Sequence, residues 1–170
     1  FLNPGAGYGG SCFPKDVKAL IAIANNYGYD FGLLKDVEKI NEDAMQLMVE
    51  KVKKHLGEVS GKTIGVLGLS FKPDTDDMRD APSIVVIKAL EKLGAKIKAY
   101  DPIAMNNAKK LLPNITYCSD AYEAAKDADC LVVMTEWNEF KQLDLTKMNT
   151  AMKQPVVIDG RNIYDPQEMR

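Results

Sequence analysis

The chain has 170 residues, 46% of them hydrophobic and 27% charged, with a formal net charge of −2 from 22 basic and 24 acidic side chains. This is globular composition with a core of its own. The charge balance gives no footprint for nucleic acid, and no apolar run approaches the length of a membrane span.

The first stretch, FLNPGAGYGGSCFPKD, is a glycine-rich loop ending in Cys12. Its GAGYGG matches G-x-G-x-x-G, but no strand precedes it and Pro14 follows soon after, so the match carries little weight as a dinucleotide fingerprint. A helix is expected from Pro14, with Val17, Leu20, Ile21 and Ala24 on one face and Gly28 as its stop. A second, longer helix follows over 31–58, with a stripe of Val37, Ile40, Ala44, Leu47, Met48, Val52 and Leu56 ended by Gly57. Such a stripe serves either the core of this chain or a dimer seam.

From residue 59 onward, strands and helices alternate. The expected strands are 62–71, 96–102, 115–119, 129–137 and 155–162. The expected helices are 83–94, 105–112, 120–128 and 144–153. Alternation of this kind, with apolar strand interiors such as LVVM and VVI, predicts an α/β domain whose parallel sheet carries helices on both faces. Ligands of such sheets lie beyond the carboxyl ends of the strands. Lys72 follows the first strand, Arg79 precedes Asp80 and Pro82 at the next helix start, and Arg161 follows the last strand. Cations at strand ends suit a phosphate group, or they simply neutralise Asp74, Asp76, Asp77 and Asp80.

The three cysteines lack CxxC spacing, which argues against a disulfide framework or a metal site and fits a reducing, cytoplasmic setting. Cys118 and Cys130 lie in strand-like apolar segments and read as buried structural thiols. Cys12 differs: it follows flexible glycines and precedes a helix whose first turn carries Lys15. A helix N-terminus and a cation both favour a thiolate, the setting of a nucleophile. The single histidine, His55, sits near the end of the long helix and reads as a solvated terminus. Any general base must therefore come from Lys, Asp, Glu or another part of the protein.

GYGGSCFPKD, FKPDTDDMRDAPS and VVIDGRN together resemble the nucleotide-sugar 6-dehydrogenases, the UDP-glucose/GDP-mannose dehydrogenase family, over the whole chain. These enzymes have an N-terminal Rossmann domain for NAD, a helical middle that dimerises and a C-terminal Rossmann-like domain for the nucleotide. The resemblance is to the second and third parts. It implies a catalytic cysteine loop and dimerisation region over 1–58 and a Rossmann-like UDP-sugar-binding domain over 59–170, with Phe1 lying mid-protein and the piece inactive alone. The family oxidises the sugar C6 alcohol twice, with NAD⁺ as oxidant each time. The resemblance implies that Cys12 forms a thiohemiacetal and then a thioester, and that Asp16 assists the releasing water with a lysine from the N-terminal part. Ser11, Lys15 and Arg79 would reach NAD. Asn3, Pro4, Gly5, Ala6, Gly7, Tyr8 and Gly9 would wrap the substrate, and Phe71, Lys72 and Arg161 would bind the nucleotide sugar. A homodimer through the helix near 31–56 is implied, completed by a partner arginine from upstream. GGSCFPKD favours UDP-glucose. GDP-mannose enzymes usually have Leu where Phe13 stands, and relatives acting on N-acetylated sugars usually differ around the cysteine. Two other readings remain: a nucleotide-binding and dimerisation module without its own chemistry, and a Rossmann-like domain of another reductase with a structural Cys12.

Overall fold

The computed structural model describes residues 4–169. Residues 4–12 form an irregular loop, followed by α1 (Phe13–Asn26) and α2 (Gly32–Leu56). Pro14 at the start of α1 fixes a helical φ and gives up an N–H that the first turn leaves unbonded in any case. Gly57 ends α2 with φ 69°, a backbone conformation that side chains disfavour, and Lys53, Lys54 and His55 face the negative end of the helix dipole. The alternating region then gives β1 (Thr63–Leu67), α3 (Pro82–Lys92), β2 (Lys96–Tyr100), α4 (Met105–Leu111), β3 (Thr116–Tyr117), α5 (Ala121–Ala125), β4 (Cys130–Val133), α6 (Asn138–Lys141), α7 (Leu145–Ala151) and β5 (Val157–Asp159).

The five strands pair in parallel in the order β3-β2-β1-β4-β5. This is the Rossmann-like order, with its switch point between β1 and β4. Side chains alternate across the sheet with period two. Ile64, Val66, Cys130 and Val132 join a core with α2, α3 and α4. Leu67 and Leu131 face the opposite way, into a second core with Ala121, Ala124 and Ala125 of α5, Phe140 of α6 and Met148 of α7. Helices thus cover both faces of the sheet. Asp120 and Asp144 cap α5 and α7 by accepting the Glu123 and Lys147 N–H groups at 2.7 and 3.0 Å.

The long stripe of α2 divides its work. Met45, Met48, Val49 and Val52 are buried against the sheet domain, whereas Leu33, Ile40 and Leu47 stay exposed. Strand bounds differ from expectation at the site end. β1 stops at Leu67 and β4 at Val133, well short of Phe71 and Trp137. After β1 the Gly68 amide still bonds the Tyr100 carbonyl, but the Leu69 and Ser70 amides turn to the Asp101 carboxylate and the Phe71 amide to the Asp77 carbonyl. The start of α3 is also different: its N-cap is Ala81, while Asp80 adopts φ 47° one residue earlier. The four-residue α6 is a further addition, too short for any periodicity to announce it.

Candidate active site

A cleft of about 570 Å³ opens at the carboxyl ends of the strands. It is walled by Gly5, Gly7, Tyr8 and Gly9 of the N-terminal loop, by Val37, Ile40, Asn41 and Ala44 of α2, by Phe71 and Lys72 after β1, and by Arg161 after β5. Segments far apart in the sequence are therefore brought to one place by the parallel sheet and by α2 leaning on it. Asn3 lies outside the described residues. Pro4 sits at the rim, where its carbonyl accepts the Asn162 side-chain amide at 3.2 Å. Ala6 points the other way, into the core. The glycines are required by proximity: a β-carbon on Gly9 would run into the Asp80 carbonyl and come within 2.9 Å of Pro82. What the glycine-rich loop approaches so closely is thus the turn before α3, and the Gly10 N–H donates to the Arg79 carbonyl at 2.9 Å.

Cys12 is exposed at the N-cap of α1 and makes no capping hydrogen bond through its side chain. Its Sγ lies 3.5 Å from the Ser11 hydroxyl. One turn on, Lys15 and Asp16 form an exposed ion pair at 2.8 Å. The Lys15 ammonium is held above its ordinary range by the hydrogen bond to Asp16 and by the charge of that carboxylate. The Arg79 guanidinium is likewise raised by its hydrogen bond to Asp77. Arg79 itself lies outside the cleft, gripped by the Asp77 carboxylate at 2.7 Å. The three cations after the strands and at the helix start separate into two in the cleft, Lys72 and Arg161, and one paired with Asp77 outside it.

Arg161 is held in place by Glu136, which accepts from Nη2 at 2.6 Å and lies 2.6 Å from Nε. Asp159 shapes the turn beneath it by accepting the Arg161, Ile163 and Tyr164 amides at 2.9, 2.7 and 3.0 Å. Burial works to raise the Glu136 carboxyl, but the Arg161 hydrogen bond, a backbone hydrogen bond and the charges of Arg161 and Lys141 together outweigh it and leave the group below its ordinary 4.5. A depressed carboxylate contributes stability fully present above its unfolded pKa and lost as pH falls through its folded one. Glu136→Gln should therefore flatten the acid limb: its melting temperature, relative to neutral pH, should fall less than that of the wild type below the carboxylate range. Parallel acid limbs would mean that this pair contributes nothing.

Several working residues carry no obvious sequence signal. Glu136 and Asp159 are ordinary acids in ordinary strand ends. Asn41 does leave a trace, as a polar residue set one turn from Val37 and Ala44 in an apolar stripe. It is buried, and it brackets the Tyr8 backbone, accepting from the Tyr8 N–H at 2.6 Å and donating to the Tyr8 carbonyl at 3.3 Å. The Tyr8 hydroxyl donates to Glu38, and that bond together with burial pushes the phenol well above its usual value. Cys118 and Cys130 are buried in the two cores as expected, and burial drives the Cys130 thiol up to about 12.

The turn after β1 is where a dinucleotide fold would cradle a pyrophosphate on free amides. Here the Leu69 and Ser70 N–H groups both donate to the buried Asp101 carboxylate, at 2.7 and 3.1 Å. This domain has the Rossmann-like order without the open phosphate turn.

Residues 65–166 match the sequence profile of the UDP-glucose/GDP-mannose dehydrogenase family UDP-binding domain, and residues 1–43 match that family's central domain. The chain belongs to the UDP-glucose/GDP-mannose dehydrogenase family. It is 50% identical over 169 residues to a UDP-glucose 6-dehydrogenase of Bacillus subtilis, covering 99% of this chain and 38% of that protein. It is 46% identical over 170 residues to a UDP-glucose 6-dehydrogenase of Rhizobium meliloti, covering 99% and 39%. Among solved structures it superimposes on a UDP-glucose dehydrogenase of Pyrobaculum islandicum with TM-score 0.87 and 34% identity, over 96% of this chain and 37% of that one. A GDP-mannose dehydrogenase from Pseudomonas aeruginosa, solved as a ternary complex, gives 0.82 and 25%, over 96% and 38%. The chain thus spans less than two fifths of the length of these family relatives. Among the described residues, no helix of this dehydrogenase-family chain is long and apolar enough to cross a membrane, and no cluster of ligands could hold a metal ion.

Proposed function

We propose that this chain carries the nucleophile and the nucleotide-sugar half of an NAD-dependent UDP-glucose 6-dehydrogenase, with Cys12 as the covalent catalyst. One observation carries the reading: an exposed, uncapped Cys12 at a helix start ends the same glycine loop that walls a cleft lined by Phe71, Lys72 and Arg161. Phe71 offers an aromatic face, and two cations suit a pyrophosphate. The cleft is of ordinary size for a small-molecule ligand.

In this reading Gly5 to Gly9 hold the sugar, and Phe71, Lys72 and Arg161 hold the nucleotide. NAD⁺ would accept the hydride in both oxidations. The half-buried Ser11 and the exposed Lys15 and Arg79 fit the anionic pyrophosphate of such a cofactor, while the Asp101-filled turn after β1 does not, so this chain offers NAD only that edge. Once the C6 alcohol has become an aldehyde, the Cys12 thiolate adds to its carbonyl carbon and the oxygen takes up a proton, giving a thiohemiacetal. Loss of hydride from C6 and a proton from the hydroxyl leaves a Cys12 thioester. Water, oriented by Asp16, attacks the thioester carbonyl, the C–S bond breaks, and the uronic acid leaves with the thiol restored. Residues 1–58 supply the cysteine and the helices, and residues 59–170 supply the nucleotide grip, so the piece by itself is inactive.

The same reading includes a cytoplasmic homodimer. Phe13 and Leu20 on α1 with Tyr27 at its C-cap, and Leu33, Ile40 and Leu47 on α2, recur every seven residues and all stay exposed. Seven-residue apolar rows suit helix packing against a second copy. The test uses the complete protein with limiting UDP-glucose or GDP-mannose, counting NADH per sugar and weighing the protein by light scattering. Two NADH per UDP-glucose and none from GDP-mannose from a dimer are expected. Two from GDP-mannose alone would move the specificity, one NADH with free aldehyde would remove the covalent role of Cys12, and a monomer at high concentration would remove the seam.

A further inference from the structure

We infer that Asn41 is a positioning residue for Cys12, acting through Tyr8, so that helix α2 sets where the nucleophile loop lies. This rests on the reading of Cys12 as the nucleophile.

The path is continuous. Asn41 is an amide 8% exposed on an otherwise apolar stripe, a place where an unpaired polar group costs stability. Its whole bonding capacity toward the loop is spent on one residue, with the amide oxygen and nitrogen of Asn41 joined to the N–H and C=O of Tyr8. Gly7 makes the approach possible, because a β-carbon there would stand 2.7 Å from the Asn41 oxygen. One turn earlier on the same helix, Glu38 accepts the Tyr8 hydroxyl. Tyr8 is thus fixed at its backbone and at its tip by a single helix. Its ring then packs edge-on against Phe13, with centroids 4.7 Å apart, and Phe13 is the residue next to Cys12.

Between Tyr8 and Cys12 the loop has only glycines and Ser11, and Gly10 is pinned to Arg79. Such a stretch has no side chains to hold its own shape, so the register of Cys12 depends on the anchors at Tyr8 and Gly10. A loop that drifts by an ångström carries the sulfur out of line with an electrophile across the cleft, and misplacement of that size costs up to ~10²-fold in rate.

The experiment compares Asn41→Leu, of the same branching and heavy-atom count but without hydrogen bonds, with Asn41→Asp, which keeps the acceptor for the Tyr8 N–H. Both are made in the complete protein. Cys12 alkylation by iodoacetamide is timed without ligands, kcat and KM for UDP-glucose are measured, and melting temperature checks the fold. Asn41→Leu should lower kcat by ~10–100-fold and change the Cys12 alkylation rate by ~3-fold or more. Asn41→Asp should recover part of both, since it keeps the bond from the Tyr8 N–H but sets a second acceptor against the Tyr8 carbonyl. If Asn41→Leu fails to fold, Asn41→Ala takes its place with the same expectations. Alkylation and kcat at wild-type levels in the hydrogen-bond-free variant would overturn the inference, as would an Asp variant no better than the Leu one. Because alkylation needs neither sugar nor dinucleotide, a wild-type protein that oxidised no nucleotide sugar would defeat the proposed function and still leave the alkylation rates to judge Asn41.

Discussion

Replacing Cys12 with serine in the complete protein should abolish uronic acid formation from UDP-glucose, a loss of roughly a thousandfold or more in turnover, without lowering the melting temperature. The asymmetry follows from where Cys12 sits. It is exposed, packs into neither core and makes no capping bond, so its removal disturbs no stabilising contact. Serine differs from cysteine by one atom and is an ordinary residue at a helix start. Its hydroxyl, however, is a far weaker nucleophile than a thiolate near neutral pH. The first oxidation does not involve the sulfur, so at most one NADH per sugar should appear, with aldehyde as the product. A serine variant that still delivers two NADH per sugar would end the covalent role of Cys12.

Replacing Asp101 with alanine should cost ~3–5 kcal/mol, because several buried donors, each worth about 1–3 kcal/mol when left unpaired, lose their acceptor at once. At 2–4 °C per kcal/mol for a chain of this size, the melting temperature should fall by roughly 6–20 °C. Asp101 is 1% exposed and ties three segments together at the carboxyl end of the sheet. One oxygen accepts the Leu69 and Ser70 amides, the Ser70 hydroxyl and the Trp137 indole N–H, and the other accepts the Ile103 and Ala104 amides. Alanine leaves those donors buried and unpaired. Asparagine is a poor rescue, because whichever way the amide turns, its NH₂ group meets a donor. Since Leu69 and Ser70 lead directly to Phe71 and Lys72, UDP should bind more weakly to the variant even where it remains folded. A melting temperature unchanged by Asp101→Ala would show that water replaces the carboxylate at no cost.

The difference between these two residues shows how far the sequence could be read. Cys12 was legible because its signal is local: glycines before it, a proline-started helix after it and a lysine within one turn. Asp101, in KIKAYDP, looks like a turn residue after a strand. Its importance comes from the parallel sheet, which sets the ends of β1, β2 and β4 side by side. Glu136 and Asn41 escaped notice for the same reason. Each acts on a residue distant in the chain, Arg161 in one case and Tyr8 in the other, and neither pairing leaves a spacing to recognise.

The sequence by itself determined the alternation of strands and helices, the apolar strand interiors, the helix stops at Gly28, Gly57 and Gly94, and the family. All of these depend on neighbours within a turn or two, or on short motifs. It also supplied most of the residues that line the cleft. Tertiary structure alone decided that Lys72 and Arg161 share that cleft while Arg79 stays outside it, paired with Asp77. It also decided that α2 splits between a buried half and an exposed row, and that the turn after β1 is filled by Asp101. Those outcomes depend on which strand ends become neighbours in the order β3-β2-β1-β4-β5, and periodicity along one chain carries no record of that order.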